Sequence, residues 1–587
     1  MMTSSFHELH PVGSRSKGIA PFLAVLAVFA LAIALIAPPA RAAQASSRLD
    51  PGSTKVIWVF FKDKGVFGVD AQAQAVEHAR ESLTPRALAR RAKTRGANTV
   101  DLLDVPVHHG YVESVLQAGA QVRAQSRWLN AVSIEATPAQ IESIRSLPFV
   151  VRVQPVAATH REPIDVIPVD TDGPSEPLSP RSLNYGDCAS QILPIQVNLL
   201  HDGGFTGNGI RICMLDTGFQ RTHEALVPVN VIAEHDFIND DNITANQAGD
   251  DPNQHNHGTY TLSLIAGFHA GDVIGPAFDA DFILGKTEDV TSETPVEEDY
   301  WIEGAEWADS LGADVISSSL GYKDWYTYQD MDGETAPITI AADLAVSNGI
   351  CVVNSAGNEG DDPWFHIIAP ADGNNVNAVG AVDSLGTIAS FSSRGPTADG
   401  RIKPDVCAMG VGDLIALPST PSSYGRGSGT SFSCPLVAGV SALLLQKHPQ
   451  WTPLQVRDAL RASAANANAP NNSYGWGVIR AWSASNTGAT DAPLVAAQDA
   501  ALSVSPNPAH DVSVIRFAAG SLGELFDAGV FDVSGRRVRA LEVEAAKNGA
   551  LEWDGRDESG RALPSGIYWV KLCTSQGEHS ARVVRIR

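Results

Sequence analysis

Between about residues 200 and 465 one pattern repeats: a short apolar run, then a longer stretch whose apolar residues recur at helical spacing. The apolar runs fall at 210–215, 281–285, 314–318, 350–353 and 376–382. The helical stretches lie near 258–267, 301–311, 338–348, 432–447 and 453–465. A strand with one wet face alternates polar and apolar residues, whereas a strand covered on both faces reads as a continuous apolar run. Strands alternating with helices in this way build a parallel sheet. The expected centre of the chain is therefore an α/β domain, a parallel sheet with helices on both faces. Reactive groups in such a sheet collect at the carboxyl ends of the strands and the helix N-termini beside them.

Charge separates the rest of the chain into blocks. Residues 55–160 carry 13 basic and 9 acidic side chains, residues 185–490 carry 12 and 37, and residues 500–587 carry 11 of each. Three signatures suggest three domains, and a basic segment beside a strongly acidic one is suited to dock on it within the chain. The alternative is that the acidic surface serves solubility alone. A net charge of −24 over 587 residues argues against a nucleic-acid binder that works by neutralising phosphates.

The first block reads as a strand at 55–62, a helical stretch at 71–95, then a helix at 110–119, a strand at 131–135, a helix at 138–146 and a strand at 149–154. That is a small α+β domain, assigned to 50–160. Pro163, Pro168, Pro174, Pro177 and Pro180 mark 161–186 as a linker. Beyond Asp491, short alternating segments separated by turns such as Ser534-Gly535, Asp554-Gly555 and Ser559-Gly560 fit a β-sandwich over 500–587. The central domain then occupies 187–488.

At the N-terminus, Arg15 and Lys17 precede an unbroken apolar run at 19–37, followed by Ala40-Arg41-Ala42 and Ala43-Gln44-Ala45. This is the order of a secretory signal peptide, 1–43, with a cleavage site after it. The run is also just long enough to span a bilayer, so an uncleaved anchor is the alternative. The protein is expected outside the cytoplasm. Its six cysteines are too sparse for a disulfide scaffold. Cys213, Cys351 and Cys434 lie in apolar segments and read as buried thiols, while Cys188, Cys407 and Cys573 are available for pairing.

Four short segments carry the chemistry. An apolar strand ends in Asp216-Thr217-Gly218; His257-Gly258-Thr259 opens a helix; Gly357-Asn358 follows the run at 350–353; and Gly429-Thr430-Ser431 precedes a long apolar helix. Singly, each is more often a turn or a cap. Together they supply a complete set. A serine hydroxyl needs a base to take its proton, imidazole is that base near neutral pH, and a buried carboxylate holds the imidazole's tautomer. An asparagine amide beside the serine N–H can donate to a tetrahedral oxyanion.

In the order Asp216, His257, Asn358, Ser431 the chain resembles the subtilisin-like serine proteases. Gly275-Pro276-Ala277, Ser319-Leu320-Gly321, Val379-Gly380-Ala381 and Phe391-Ser392-Ser393-Arg394-Gly395-Pro396 extend the likeness over about 190–485. The resemblance implies a subtilisin-like α/β fold preceded by a ferredoxin-like prodomain, and hydrolysis of protein or peptide substrates. It implies catalytic roles for Asp216, His257 and Ser431, an oxyanion role for Asn358, and contact of Ser319, Leu320, Gly321 and Gly357 with bound peptide. No cofactor is required for that chemistry. Tyr260, Phe432 and Cys434 depart from the family's usual residues behind the site, which bears on specificity and oxidation rather than on the catalytic groups. The basic domain resembles the family's propeptide, an intramolecular inhibitor that is later cut off. The tail resembles Ig-like C-terminal domains that direct exported bacterial proteins to secretion machinery or the cell surface; a solubilising or substrate-docking module is the alternative.

Two further readings stay open in the sequence. Asp236, Asn239, Asp240, Asp241, Asn242, Asp250 and Asp251 could hold structural calcium or form a solvated acidic loop; the metal assignment is unknown. Glu359 beside the expected pocket hints at tolerance for basic substrates. The rival to an enzyme is a catalytically silent surface protein that uses this scaffold for binding. An esterase would use the same nucleophile, but the chain lacks the G-x-S-x-G elbow.

Overall fold

The computed structural model describes residues 53–157, 166–169, 183–290, 297–487 and, further on, 502–505, 512–517, 525–532, 536–543, 550–563, 566–575 and 577–585. The expected signal peptide and most of the expected linker lie outside these residues.

Period-two burial organises the N-terminal domain. Strand β1 (Lys55–Phe61) is buried along nearly its whole length. Ile57, Val59 and Phe61 pack into the domain's own core, while Val56, Trp58 and Phe60 face the next domain. Then follow α1 (Val69–Glu81), α2 (Pro85–Arg95), α3 (His109–Gln117), β2 (Gln121–Ser126), β3 (Ala131–Ala136), α4 (Pro138–Arg145) and β4 (Val150–Pro155). The antiparallel sheet has the order β2-β3-β1-β4, with α3 and α4 on its inner face. This is a ferredoxin-like βαββαβ arrangement with the α1–α2 pair inserted after β1. Strand β2 escapes a reading by apolar runs because its sequence, QVRAQS, is mostly polar.

Strand β5 (Ile167–Val169), α5 (Ala189–Ile192) and α6 (Val197–Asp202) lead into the central domain. Its elements are β6 (Arg211–Asp216), β7 (Asn230–Asp236), α7 (Asn256–Ala266), β8 (Asp281–Lys286), α8 (Glu298–Leu311), β9 (Val315–Ser318), α9 (Pro337–Ser347), β10 (Cys351–Ser355), β11 (Asn377–Val382) and β12 (Val406–Met409). After these come β13 (Val411–Ala416), β14 (Tyr424–Ser428), α10 (Thr430–Lys447), α11 (Pro453–Ser463) and α12 (Ala481–Asn486). The seven-stranded sheet, β12-β11-β10-β9-β6-β8-β7, is parallel throughout. Its two terminal strands are additions to the five expected: β7 is too polar, and β12 too short, to stand out as an apolar run.

Alternate residues of each strand serve opposite faces. Cys213, Leu215 and Ile316 meet Trp301, Ile302 and Ala305 of α8 and Ile338 and Ala341 of α9. Ile212, Met214 and Val315 meet Leu264 and Ile265 of α7 and Leu436, Val437 and Val440 of α10. Every residue of α10 from Thr430 to Leu445 is buried, as a helix apolar on all sides must be. A small antiparallel sheet, β13-β14-β5, flanks its N-terminus.

The C-terminal region holds β15 (Leu502–Ser505), β16 (Ser513–Phe517), β17 (Leu525–Asp532), β18 (Arg537–Ala540), β19 (Ala550–Trp553), β20 (Gly566–Thr574) and β21 (Gly577–Arg585). They form two antiparallel sheets, β15-β16-β19 and β18-β17-β20-β21. Ile515, Leu551 and Trp553 of one sheet share a core with Ala528, Val530, Val570 and Leu572 of the other. Among the described residues no helix is long and apolar enough to cross a membrane.

Candidate active site

Strand β6 delivers Asp216 at its carboxyl end, in the interior of the sheet. The carboxylate is 1% exposed, so its charge must be met locally. Thr217 N–H donates to Oδ1 at 2.8 Å and Thr261 Oγ1 to Oδ2 at 3.0 Å. His257, in the first turn of α7, completes the set, with Nδ1 2.6 Å from Asp216 Oδ1. This approach depends on a missing side chain. A Cβ on Gly258 would lie 2.1 Å from the carbonyl oxygen of Gly218, so only glycine lets α7 begin this close to the loop after β6.

Ser431 occupies the first turn of α10 and is 2% exposed. Its hydroxyl is 3.3 Å from the Ser319 carbonyl. The next residue, Phe432, places its ring 6.4 Å from the His257 ring, nearly parallel to it. Helix α10 contains a proline, Pro435, four residues after the serine. Proline has no N–H, so the Ser431 carbonyl loses its normal helical partner. The Ser319 hydroxyl takes that place, donating to Ser431 O at 2.8 Å. A proline four residues beyond a candidate nucleophile was the visible signal for this brace, and sequence reasoning assigned Ser319 only to substrate contact.

Asn358 follows β10 and is exposed. Its Oδ1 accepts from Thr430 N–H at 2.8 Å and Thr430 Oγ1 at 2.9 Å. Because the oxygen is taken by the helix start, the amide's donor end is the one left to face the cleft beside Gly429 and Ser431. The expected substrate segments flank this point. Leu320 is buried and its carbonyl is held by Asn354 Nδ2 at 2.9 Å. Gly321 and Gly357 both face Ile368, where a Cβ would come to within 2.3 Å and 3.0 Å of its side chain. Asp216 and His257 are thus in direct contact, Asn358 abuts the start of α10, and Ser319 binds Ser431 from the opposite side.

The sequence pattern that defines the subtilase family matches residues 207–477, and that of a Peptidase S8 propeptide domain from Bacteroidota matches residues 56–165. Subtilisin E of Bacillus subtilis is 32% identical over 352 residues, 60% of this chain and 79% of its own length. A subtilisin of Bacillus pumilus is 35% identical over 301 residues, 51% of this chain and 97% of its own. The chain belongs to the subtilase family. It is a serine-type endopeptidase with a propeptide domain. The crystal structure of fervidolysin from Fervidobacterium pennivorans, a keratinolytic enzyme related to subtilisin, superimposes with a TM-score of 0.54 at 20% identity, covering 91% of this chain and 76% of that one, a likeness of fold.

Three expectations about this subtilase's surroundings change with the structure. In the acidic loop, Asp236 and Asp250 are bound by the buried Lys286 ammonium at 2.9 and 2.8 Å. Burial works to lower the Lys286 pKa, but the two carboxylates outweigh it and hold the ammonium charged. Asp241 accepts from Gln247 Nε2 and Ile243 N–H. Asp236 is thus neutralised from within the protein, while Asn239, Asp240 and Asn242 are exposed, as in a solvated acidic loop. Glu359 pairs with Lys323 at 2.7 Å, which cancels the negative charge expected to favour basic substrates. None of the six cysteines is disulfide-bonded; all but Cys573 are buried. One group among the described residues has the composition of a metal site, Glu224, His269 and Asp272, with the imidazole Nδ1 already 2.7 Å from Asp272.

The propeptide domain sits on α8 and α9. Glu298 accepts from Trp58 Nε1 and from Tyr326 OH, both at 2.9 Å. Glu306 accepts from Ser126 Oγ at 2.6 Å and from the N–H groups of Arg127 and Trp128 at 3.2 and 3.1 Å. Arg91, fully buried, bridges Asp104 of its own domain and Asp309 of α8. Arg90 reaches Asp309 and the Ala313 and Asn348 carbonyls, and Arg86 reaches Asp314. Burial pushes Glu298 up to about 8 and also raises Glu306.

Proposed function

We propose that this subtilase is a secreted endopeptidase made as a zymogen, with residues 1–43 as signal peptide, 50–160 as inhibitory propeptide and 161–186 as the region of processing. Residues 187–488 form the peptidase domain, and 500–587 an Ig-like domain that engages secretion machinery or the cell surface. The reading rests on the 2.6 Å contact between His257 Nδ1 and Asp216 Oδ1 beside the start of α10.

Ser431 Oγ attacks the scissile carbonyl while His257 Nε2 takes its proton. Asp216 holds the tautomer and stabilises the imidazolium. Charge on the former carbonyl oxygen is met by Asn358 Nδ2 and Ser431 N–H. His257 returns the proton to the leaving amine, and water then repeats the sequence on the acyl-enzyme. Backbone at Ser319, Leu320, Gly321 and Gly357 lines the peptide's path. No cofactor enters these steps. A structural calcium ion in the acidic loop would compete with Lys286 for Asp236 and Asp250, so we assign that loop to the ammonium.

A fluorophosphonate probe tests the proposal. Processed wild-type protein is expected to label at Ser431 and a Ser431→Ala variant not at all; processed protein that stays unlabelled would sink it.

A further inference from the structure

Strand β14 leads directly into Gly429-Thr430-Ser431, and one of its edges is covered by a piece of the chain that precedes the peptidase domain. Strand β5 pairs with it antiparallel: Ile167 opposite Arg426, Pro168 opposite Gly425, Val169 opposite Tyr424. The occupant is lightly held. Ile167 is 69% exposed, and Pro168, which has no N–H to offer the ladder, is exposed as well. Val166 and Val169 alone pack on the core below. The receiving strand is shaped for it: a Cβ on Gly425 would lie 2.8 Å from Val166 Cγ1 and 3.2 Å from Ile167 O.

Direction decides what else can lie there. Strand β14 runs toward Ser431, so an antiparallel guest has its N-terminal end nearest the nucleophile and runs away from it. A peptide whose scissile carbonyl is at Ser431 can enter this edge only with the part that follows the scissile bond. At one guest residue per residue of β14, the stretch opposite Arg426–Tyr424 is roughly the fourth to sixth residue after that bond.

We propose that the β14 edge is a strand-addition dock for the leaving-group side of extended polypeptide substrates, with branched apolar side chains favoured where Val166 and Val169 now sit, and that β5 is an internal occupant which such substrates replace. The proposal rests on the serine-protease reading above. Main-chain pairing supplies the binding, as in other cases where an extended peptide joins a sheet edge. Gly425 supplies the room.

The test compares quenched-fluorescent peptides identical through the second residue after the scissile bond. One ends there, one continues for five more residues with valines, and one has the same extension with N-methylated amides at the fourth to sixth positions. On the processed protein the long peptide is expected to show about a tenfold higher kcat/KM than the short one, mostly through KM, from a few backbone hydrogen bonds. N-methylation and Gly425→Val are each expected to remove the advantage while short-peptide turnover stays unchanged. Val166→Asp combined with Val169→Asp is expected to enlarge it by loosening the occupant where processing cuts before β5, and to leave it unchanged where the cut removes β5. Equal kcat/KM for all three peptides overturns the proposal. So does a Val166→Asp/Val169→Asp protein with depressed short-peptide turnover and melting temperature, which would make β5 a fixed structural strand. Failure of the fluorophosphonate to label Ser431 would remove the underlying reading instead, and the two failures are distinct.

Discussion

Replacing Glu298 by glutamine should make the propeptide hold on at alkaline pH. With the propeptide docked, Glu298 is 0% exposed, under Trp58 and against Tyr326, and burial raises its pKa from the ordinary 4.5 to about 8. A carboxyl whose pKa rises on docking takes up a proton as the domains close. Docking is therefore strongest below 4.5 and weakens as pH climbs from there toward 8. Were the whole rise to come from docking, the loss between pH 5 and pH 8 would be about 3.5 kcal/mol, or a few hundred-fold in affinity, an upper bound because Tyr326 covers the carboxyl without the propeptide. Glu306, raised by burial where it meets Ser126, Arg127 and Trp128 of the propeptide, acts with the same sign. Glutamine keeps an acceptor for Trp58 Nε1–H and offers its amide N–H to the Tyr326 hydroxyl oxygen, but has no proton to lose.

The assay is the fraction of short-peptide activity that appears when freshly processed, propeptide-bound enzyme is diluted at each pH from 5 to 8.5. Wild-type protein should release its inhibitor increasingly above pH 6, and Glu298→Gln should show a profile flatter by about two decades. Parallel profiles would refute the reasoning, because they would mean that Glu298 stays in one protonation state throughout docking.

Three other outcomes follow from named contacts. Asp216→Asn should lower kcat by about 10⁴ with little change in KM, and Asn358→Leu by about 10²–10³, the ranges known for subtilisins and related triads; steady-state kinetics checks them. Lys286→Ala should cost about 3–5 kcal/mol by leaving the buried Asp236 and the partly exposed Asp250 without their cation, and millimolar calcium should recover part of the lost melting temperature. Thiol reagent on native protein should titrate Cys573 alone, since burial pushes Cys188, Cys351, Cys407 and Cys434 up to about 12 and raises Cys213 further; unfolding should release all six.

Legibility followed burial. Strands β6, β8, β9, β10 and β11 carry enough consecutive apolar residues to be seen, and β7 does not, because an outermost strand can keep polar side chains. The segments around Asp216, His257, Asn358 and Ser431 were visible as strand-end and helix-start motifs, since the sheet's geometry restricts where such groups can sit. What braces them was not. The roles of Thr261 and Thr430, and the exchange between the Pro435 gap and the Ser319 hydroxyl, depend on contacts between segments 45 to 112 residues apart. Nor does an acidic loop announce its own cation. Lys286 comes 36 residues after Asp250, at the end of a different strand.

At the propeptide interface, too, contacts differ from what composition alone suggests. A basic domain beside an acidic one suggests long-range attraction between surfaces, but the contacts formed are of another kind. Arg90, Arg91, Asp309, Glu298 and Asp299 are at most 2% exposed, so each pair gives up its hydration on docking. Desolvation of that size can cancel the attraction between paired charges, and one carboxyl, Glu298, is driven toward its neutral form. The affinity must then come largely from Trp58, Phe60 and Trp128, which close over α8 and α9. The arginines fix which surface is met and in what register, because a misplaced propeptide would leave Asp309 without Arg90 and Arg91. On this account Arg91→Ala weakens docking more than the loss of one surface ion pair could, whereas Arg90→Met and Arg91→Met with Asp104→Leu and Asp309→Leu, which removes the buried charges together, restores much of it.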